Sequence, residues 1–205
     1  VERMVDALQD NGYGQYDRLI EALTPALQED GLNLLRARFE ALAREPEPIP
    51  ADNDEREVIG WSSRGPIYKD EFRTSARQSA ISMAMKDIAD ALGDVDSYIA
   101  QYSEDAKKAP RVAAGLAKRL LGAGRPDEGL QLLEAADRDR AAWVDHEWED
   151  VYIETLDALD RQEEAQALRW KGFCGSLDSA RLKAYLKRLP DFDDVEAEDR
   201  AIEVA

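Results

Sequence analysis

Asp145, His146, Glu147 and Asp150 fall within one eight-residue run, residues 143–150, reading WVDHEWED. An imidazole among carboxylates is the set of residue types that binds a divalent metal or relays a proton. On a helix, His146 and Asp150 stand four positions apart and share a face. Two donors are only half of a usable ligand set, and the same residues have a plainer reading. Acids are favoured in the first turn of a helix by its dipole, while Trp148 turns toward the core. The run is therefore read as a helix start, with a metal or acid–base site around His146 kept as the lesser alternative.

Other reactive groups are sparse. Cys174 is the single cysteine and His146 the single histidine, so any thiolate–imidazole pair would have to join two different helical hairpins. Asp191, Asp193 and Asp194 offer oxygens to a hard cation, but lack the turn-forming glycine such loops use. No Gly-rich phosphate loop and no nucleophile elbow is present. No catalytic, cofactor-binding or metal-ligating residue is assigned, and no cofactor is expected. The better candidates are partner anchors, because Trp is enriched in binding hot spots. Trp61 lies in a loop and Trp143 just before a helix. His146 and Glu147 join them as candidate partner-binding residues.

Composition narrows the partner. The 205 residues carry 44 acids against 27 bases, a net charge of −17. That field repels nucleic acid and anionic membrane surfaces, and suits a protein or peptide with a basic segment. The densest basic stretch, KAYLKR at 183–188, holds only three charges. A homodimer is a further option. No run of 18 apolar residues exists to cross a membrane. One cysteine excludes a disulfide framework and fits a reducing cytoplasm. The chain opens on Val1 inside a helical pattern, which reads as the C-terminal piece of a longer protein.

The elements that must hold these residues are helices. Apolar stripes at i, i+3, i+4, i+7 spacing predict N-terminal helices over 1–45, with breaks at Pro25 and Gly31. Residues 46–68 read as a Pro-rich linker and irregular loop, with Val58–Ile59 and Ile67–Tyr68 as the arms of a short hairpin if one forms. A long helix follows from about 69 to 92. Its two adjoining stripes, Phe72–Ala76–Ala80–Met83 and Ile81–Met85–Ile88–Leu92, predict neighbours on more than one side. Gly93 is its stop, and Asp94 or Asp96 the cap of the next helix. A helical-repeat core spans 69–190, and 191–205 is an acidic tail with seven acids and one base. All are read as one continuous domain.

Within that core, RVAAGLAKRLLGAGRPDEGLQLLEAADR at 111–138 has the form helix, Gly turn, helix. GRPDEGLQLLEAA at 124–136 has a counterpart 36 residues later in DRQEEAQALRWKG at 160–172. That is close to the tetratricopeptide period of about 34. Small residues at Ala113, Ala117, Gly129, Ala136 and Ala165 mark where paired helices cross closely. Arg169 breaks the pattern, standing where a bulky apolar residue is expected. The expected fold is all-α: stacked antiparallel hairpins in a tetratricopeptide-like, right-handed α-solenoid.

These segments, with HEWEDVYIETLDALDRQEEAQALRW and above all AYLKRLPDFDDVEAE at 184–198, resemble DUF6880, a family of uncharacterised bacterial proteins. The resemblance covers about 111–201, and the N-terminal helices more loosely. It implies an all-helical fold and a bacterial origin, and no activity. The functional expectation is thus a non-catalytic scaffold binding a protein or peptide. The alternative is a purely structural domain that packs on the rest of a larger protein or dimerises.

Overall fold

The computed structural model describes residues 1–11, 14–46, 56–63, 65–140, 146–190 and 193–204. Trp143, Asp145, Asp191, Pro48 and Pro50 lie outside the described residues. The chain is mostly helical, with one two-stranded sheet, and packs as two compact units, Val1–Tyr102 and Ser103–Ala205.

The first unit holds α1 (Glu2–Gln9), α2 (Leu19–Arg44), β1 (Val58–Ser62), β2 (Gly65–Tyr68), α3 (Lys69–Leu92) and α4 (Val95–Ile99). Its core joins Val5 and Leu8 of α1, Ile20, Leu32, Leu35 and Phe39 of α2, and Ala84 and Ile88 of α3. Burying each large side chain here contributes about 1.5–3 kcal/mol. The break in α2 falls at neither Pro25 nor Gly31, the two expected positions, but between them at Gln28, whose backbone is non-helical at φ 54°. Gly31 stays within the helix because its bare Cα lets Leu27 pack against it: a Cβ there would stand 3.0 Å from Leu27 Cβ. The hairpin does form, antiparallel, with Trp61 opposite Pro66 and a bulge between Val58 and Gly60.

In α3, only the Ile81–Met85–Ile88–Leu92 stripe meets the core. The other stripe faces water, with Phe72, Ala76 and Met83 exposed, so this helix is covered on one side rather than two. It stops at Gly93 in the left-handed conformation, and the Asp94 carboxylate caps α4 by accepting from Ser97 N–H at 3.0 Å.

The second unit holds α5 (Glu104–Lys107), α6 (Pro110–Gly122), α7 (Pro126–Glu134), a single 3-10 turn, α8 (His146–Ala158), α9 (Gln162–Ser176), α10 (Ser179–Leu186) and α11 (Asp193–Val204). α6 packs on α7 and α8, α8 on α9, and α9 on α10. Ala113, Ala117, Leu133, Trp148 and Val151 form one cluster, and Leu130, Ile153, Leu156 and Ala165 the next. Small residues do sit at a close crossing: a Cβ on Gly129 would come within 3.4 Å of the Ala117 carbonyl oxygen.

Two turns 36 residues apart are built alike. Arg125 N–H bonds Leu120 O at 2.9 Å, and 36 residues on, Arg161 N–H bonds Leu156 O at 2.9 Å. Gly124 (φ 73°) and Asp160 (φ 58°) occupy the same left-handed position. Each following arginine grips the glutamate three residues later, Arg125 with Glu128 and Arg161 with Glu164. Arg169 also finds its place. It is only 6% exposed, its guanidinium is paired with Asp157 of α8, and it donates to Gln166 Oε1 at 3.0 Å. The apolar stem fills the expected apolar position while the head is neutralised. The acidic tail is helical from Asp193, with Ala197 and Ala201 buried.

Candidate functional site

His146 begins α8, and the helix start brings it to the face where α8, α9 and α10 meet. The group that organises this face is Arg181 of α10, which sequence reasoning missed. Its side chain is 14% exposed. One nitrogen donates to Glu149 Oε2 at 2.5 Å. The other lies 2.8 Å from His146 Nδ1 and 3.6 Å from Asp150 Oδ1. A permanently cationic guanidinium can only donate, so Nδ1 is the acceptor and the ring proton sits on Nε2. Gly172 of α9 makes room for this arrangement, since a Cβ there would overlap the guanidinium.

His146 and Asp150 do come together, as helical spacing implies, and with Ser176, Asp178 and Arg181 they line an open depression of about 490 Å³. Its centre already holds a cation. Arg181 engages the His146 nitrogen and the Glu149 and Asp150 oxygens that a metal or acid–base site here would draw on. Among the described residues, no group of three or more His, Cys, Asp or Glu side chains is placed to hold a metal. Glu147 points elsewhere and is exposed, 3.9 Å from Arg111. Cys174 is exposed on α9. Asp193 and Asp194 sit in the first turn of α11, where Asp194 accepts from Val195 N–H. Trp148 is core, as its stripe implies. It is 7% exposed, stacked on Tyr152 at 4.9 Å, and its indole N–H donates to Leu133 O at 3.2 Å. The arrangement links Glu149 and His146 of α8 to Arg181 of α10, beside Gly172 of α9.

The other candidate surface is in the first unit. Trp61 is 78% exposed at the end of β1, far more than a side chain closing a core edge would be. Val58, Ile59 and Ile67 of the same hairpin are exposed too, as are Phe72 (60%) and Met83 on α3. Phe72 and Met83 escaped the sequence reading because helical spacing alone does not say which of two adjoining stripes a neighbour will cover.

Described charges flanking the hairpin pair with one another. Arg56 stacks over the Tyr68 ring at 3.8 Å, donates to Asp70 Oδ1 at 3.2 Å and to Asp70 Oδ2 at 2.7 Å, and reaches Glu71 at 2.6 Å. Its guanidinium keeps the Asp70 carboxyl below the usual range. Lys69 pairs with Glu57 at 2.5 Å. The outcome is a set of exposed apolar side chains, Trp61 the most exposed, on a strongly acidic chain. No helix among the described residues is long and apolar enough to cross a membrane.

The profile of a family of unknown function, DUF6880, matches residues 1–205. No curated protein and no solved structure matches the chain.

Proposed function

We propose that this chain, which belongs to the DUF6880 family, is a non-catalytic helical scaffold that docks a protein segment on the hairpin and outer α3 face. The observation that carries the reading is Trp61 at 78% exposure, with Val58, Ile59 and Phe72 exposed beside it in sequence. Exposed apolar groups of this size mark interaction surfaces more often than they decorate a solvated one. Trp61 is a two-torsion anchor whose burial gains contact area at low entropic cost.

The occupant we infer presents apolar anchors flanked by basic residues. The described charges flanking the hairpin, Arg56 with Asp70 and Lys69 with Glu57, are paired, so the contact we infer there is apolar, while the chain's net charge of −17 steers a cationic partner toward it. The recurring turns at Gly124 and Asp160 support reading the second unit as stacked tetratricopeptide-like hairpins, a geometry suited to a scaffold.

The test is a capture from bacterial lysate at about 50 and about 300 mM salt, where screening separates electrostatic from apolar contact. The captured protein is then purified and titrated against wild type and a Trp61→Ser, Phe72→Ser variant of unchanged helicity. Weakening of about tenfold or more, equivalent to about 1.4 kcal/mol, supports the reading. Equal affinity for the two proteins removes it.

A further inference from the structure

A cavity of about 450 Å³ lies between the start of α2 and the end of α3, lined by Asp17, Glu21, Thr24, Pro25, Asp87, Asp90 and Ala91. Four of these are acids and none is basic. Of the basic groups nearest in sequence, one is held by a lining acid and the other lies over an aromatic ring, and neither is bonded to Asp87. Arg18 is turned onto Glu21 by two bonds of 2.8 and 2.6 Å, and Lys86 lies over the Tyr102 ring at 4.0 Å. Asp17 accepts from the Asn11 amide at 2.8 Å. Thr24 cannot help, since its hydroxyl donates to Ile20 O. Asp87 is half-buried and has no ion pair among the described residues. The charged groups facing it are Asp90 and Lys86 from its own helix, and Asp17 and Glu21 from the α2 side; α1 and α4 contribute none to the cavity.

We propose that this carboxylate-lined cavity is an acid-responsive joint: proton uptake by Asp87 tightens α2 against α3, and loss of that proton loosens them. The physical reason is that an aspartate here meets both desolvation and like charge, and both favour its neutral form. Burial first, then Asp90, Asp17 and Glu21, push the Asp87 carboxyl up to about 6 from 3.8.

The sign follows by linkage. A carboxyl whose folded value is raised gives stability that is complete below the unfolded value and is lost as pH rises through the folded one. The window is therefore about pH 4 to 6, with the loosened form complete above about 7. Acids held below their usual range, Asp70 and Asp94, stay ionised through the upper part of this window and do not mask the effect.

The experiment is hydrogen exchange of the full chain at pH 5 and 7.5, corrected for intrinsic rates, read at peptides covering the first turns of α2 and the last turns of α3. Wild type is expected to show protection about tenfold higher at pH 5, the ratio that this shift implies for an opening that exposes Asp87. Asp87→Asn should be pH-independent and as protected as acidic wild type. Equal protection at both pH values in wild type, or a pH dependence that survives Asp87→Asn, overturns the proposal. If Asp87→Asn does not fold, carbon-detected titration of wild-type Asp87 decides: a midpoint near 6 supports the joint, and one near the ordinary aspartate value of about 3.9 sinks it.

Discussion

Replacing Gly172 by alanine should change sign depending on residue 181. In the wild-type background, the new methyl overlaps the Arg181 guanidinium, which must swing off Glu149 and His146. A charge-assisted hydrogen bond is worth about 1.5–3 kcal/mol when its partner is left buried. Arg181 and Glu149 are 14% and 18% exposed, so a freed Glu149 regains some water. The loss is then on the order of 2 kcal/mol. Exchanging glycine for alanine inside α9 returns about 1 kcal/mol of helix propensity. The net cost of Gly172→Ala is thus about 1 kcal/mol. In an Arg181→Ala background there is nothing to displace, and the same substitution should stabilise by about 1 kcal/mol. The coupling is about 2 kcal/mol, well above the roughly 0.5 kcal/mol within which independent sites add. Urea unfolding of the four proteins measures it, with hydrogen exchange of α8–α10 amides assigning the transition to the second unit. If Gly172→Ala has the same sign and size in both backgrounds, Arg181 is a solvated ornament and the reasoning about the clamp is wrong.

Further outcomes follow from the same structure. Leu133→Ala removes a fully buried side chain next to Trp148 and should cost about 2–5 kcal/mol in unfolding free energy by denaturant titration. Trp148→Phe keeps the ring in place but strips the donor from Leu133 O, for about 1 kcal/mol in the same assay. Asp94→Ala loses the α4 cap and the pair with Arg36 at 3.0 Å, and should cost about 1–2 kcal/mol. Bonds from Ser97 first, and then Arg36, hold the Asp94 carboxyl below its usual range. Its contribution should therefore be present at neutral pH and disappear as pH falls below about 4, which melts of wild type and variant across pH will show.

Much of this architecture is legible in the chain because helices announce themselves by spacing. Gly93, Asp94, Gly124 and Pro126 punctuate the fold where their conformational preferences say they should. The likeness of the two turns is legible for the same reason, since a left-handed position and an arginine–glutamate pair recur 36 residues apart. What spacing could not convey is which partner each face meets. The Phe72–Met83 stripe satisfies helical periodicity as well as the Ile81–Leu92 stripe does, yet only one meets α2. Gly31 looks like a breaker until the packing of Leu27 against it is known. Arg169 reads as a break in the repeat and Arg181 goes unremarked, because nothing local marks a buried arginine. Each is explained by an acid from a neighbouring helix, Asp157 for one and Glu149 for the other. Of the partner-binding candidates, Trp61 stands out in the structure, while His146 is engaged by Arg181 and Glu147 lies near Arg111.

The central claim, that the hairpin face holds a protein partner, is tested most directly by placing a photo-crosslinking amino acid at position 61 in cells. Lys118, exposed on α6, serves as the control position. The account expects a discrete crosslinked species from position 61 that is absent from position 118 and competed away by purified wild-type chain. Identical products from both positions, or none from position 61 at full expression, would contradict it.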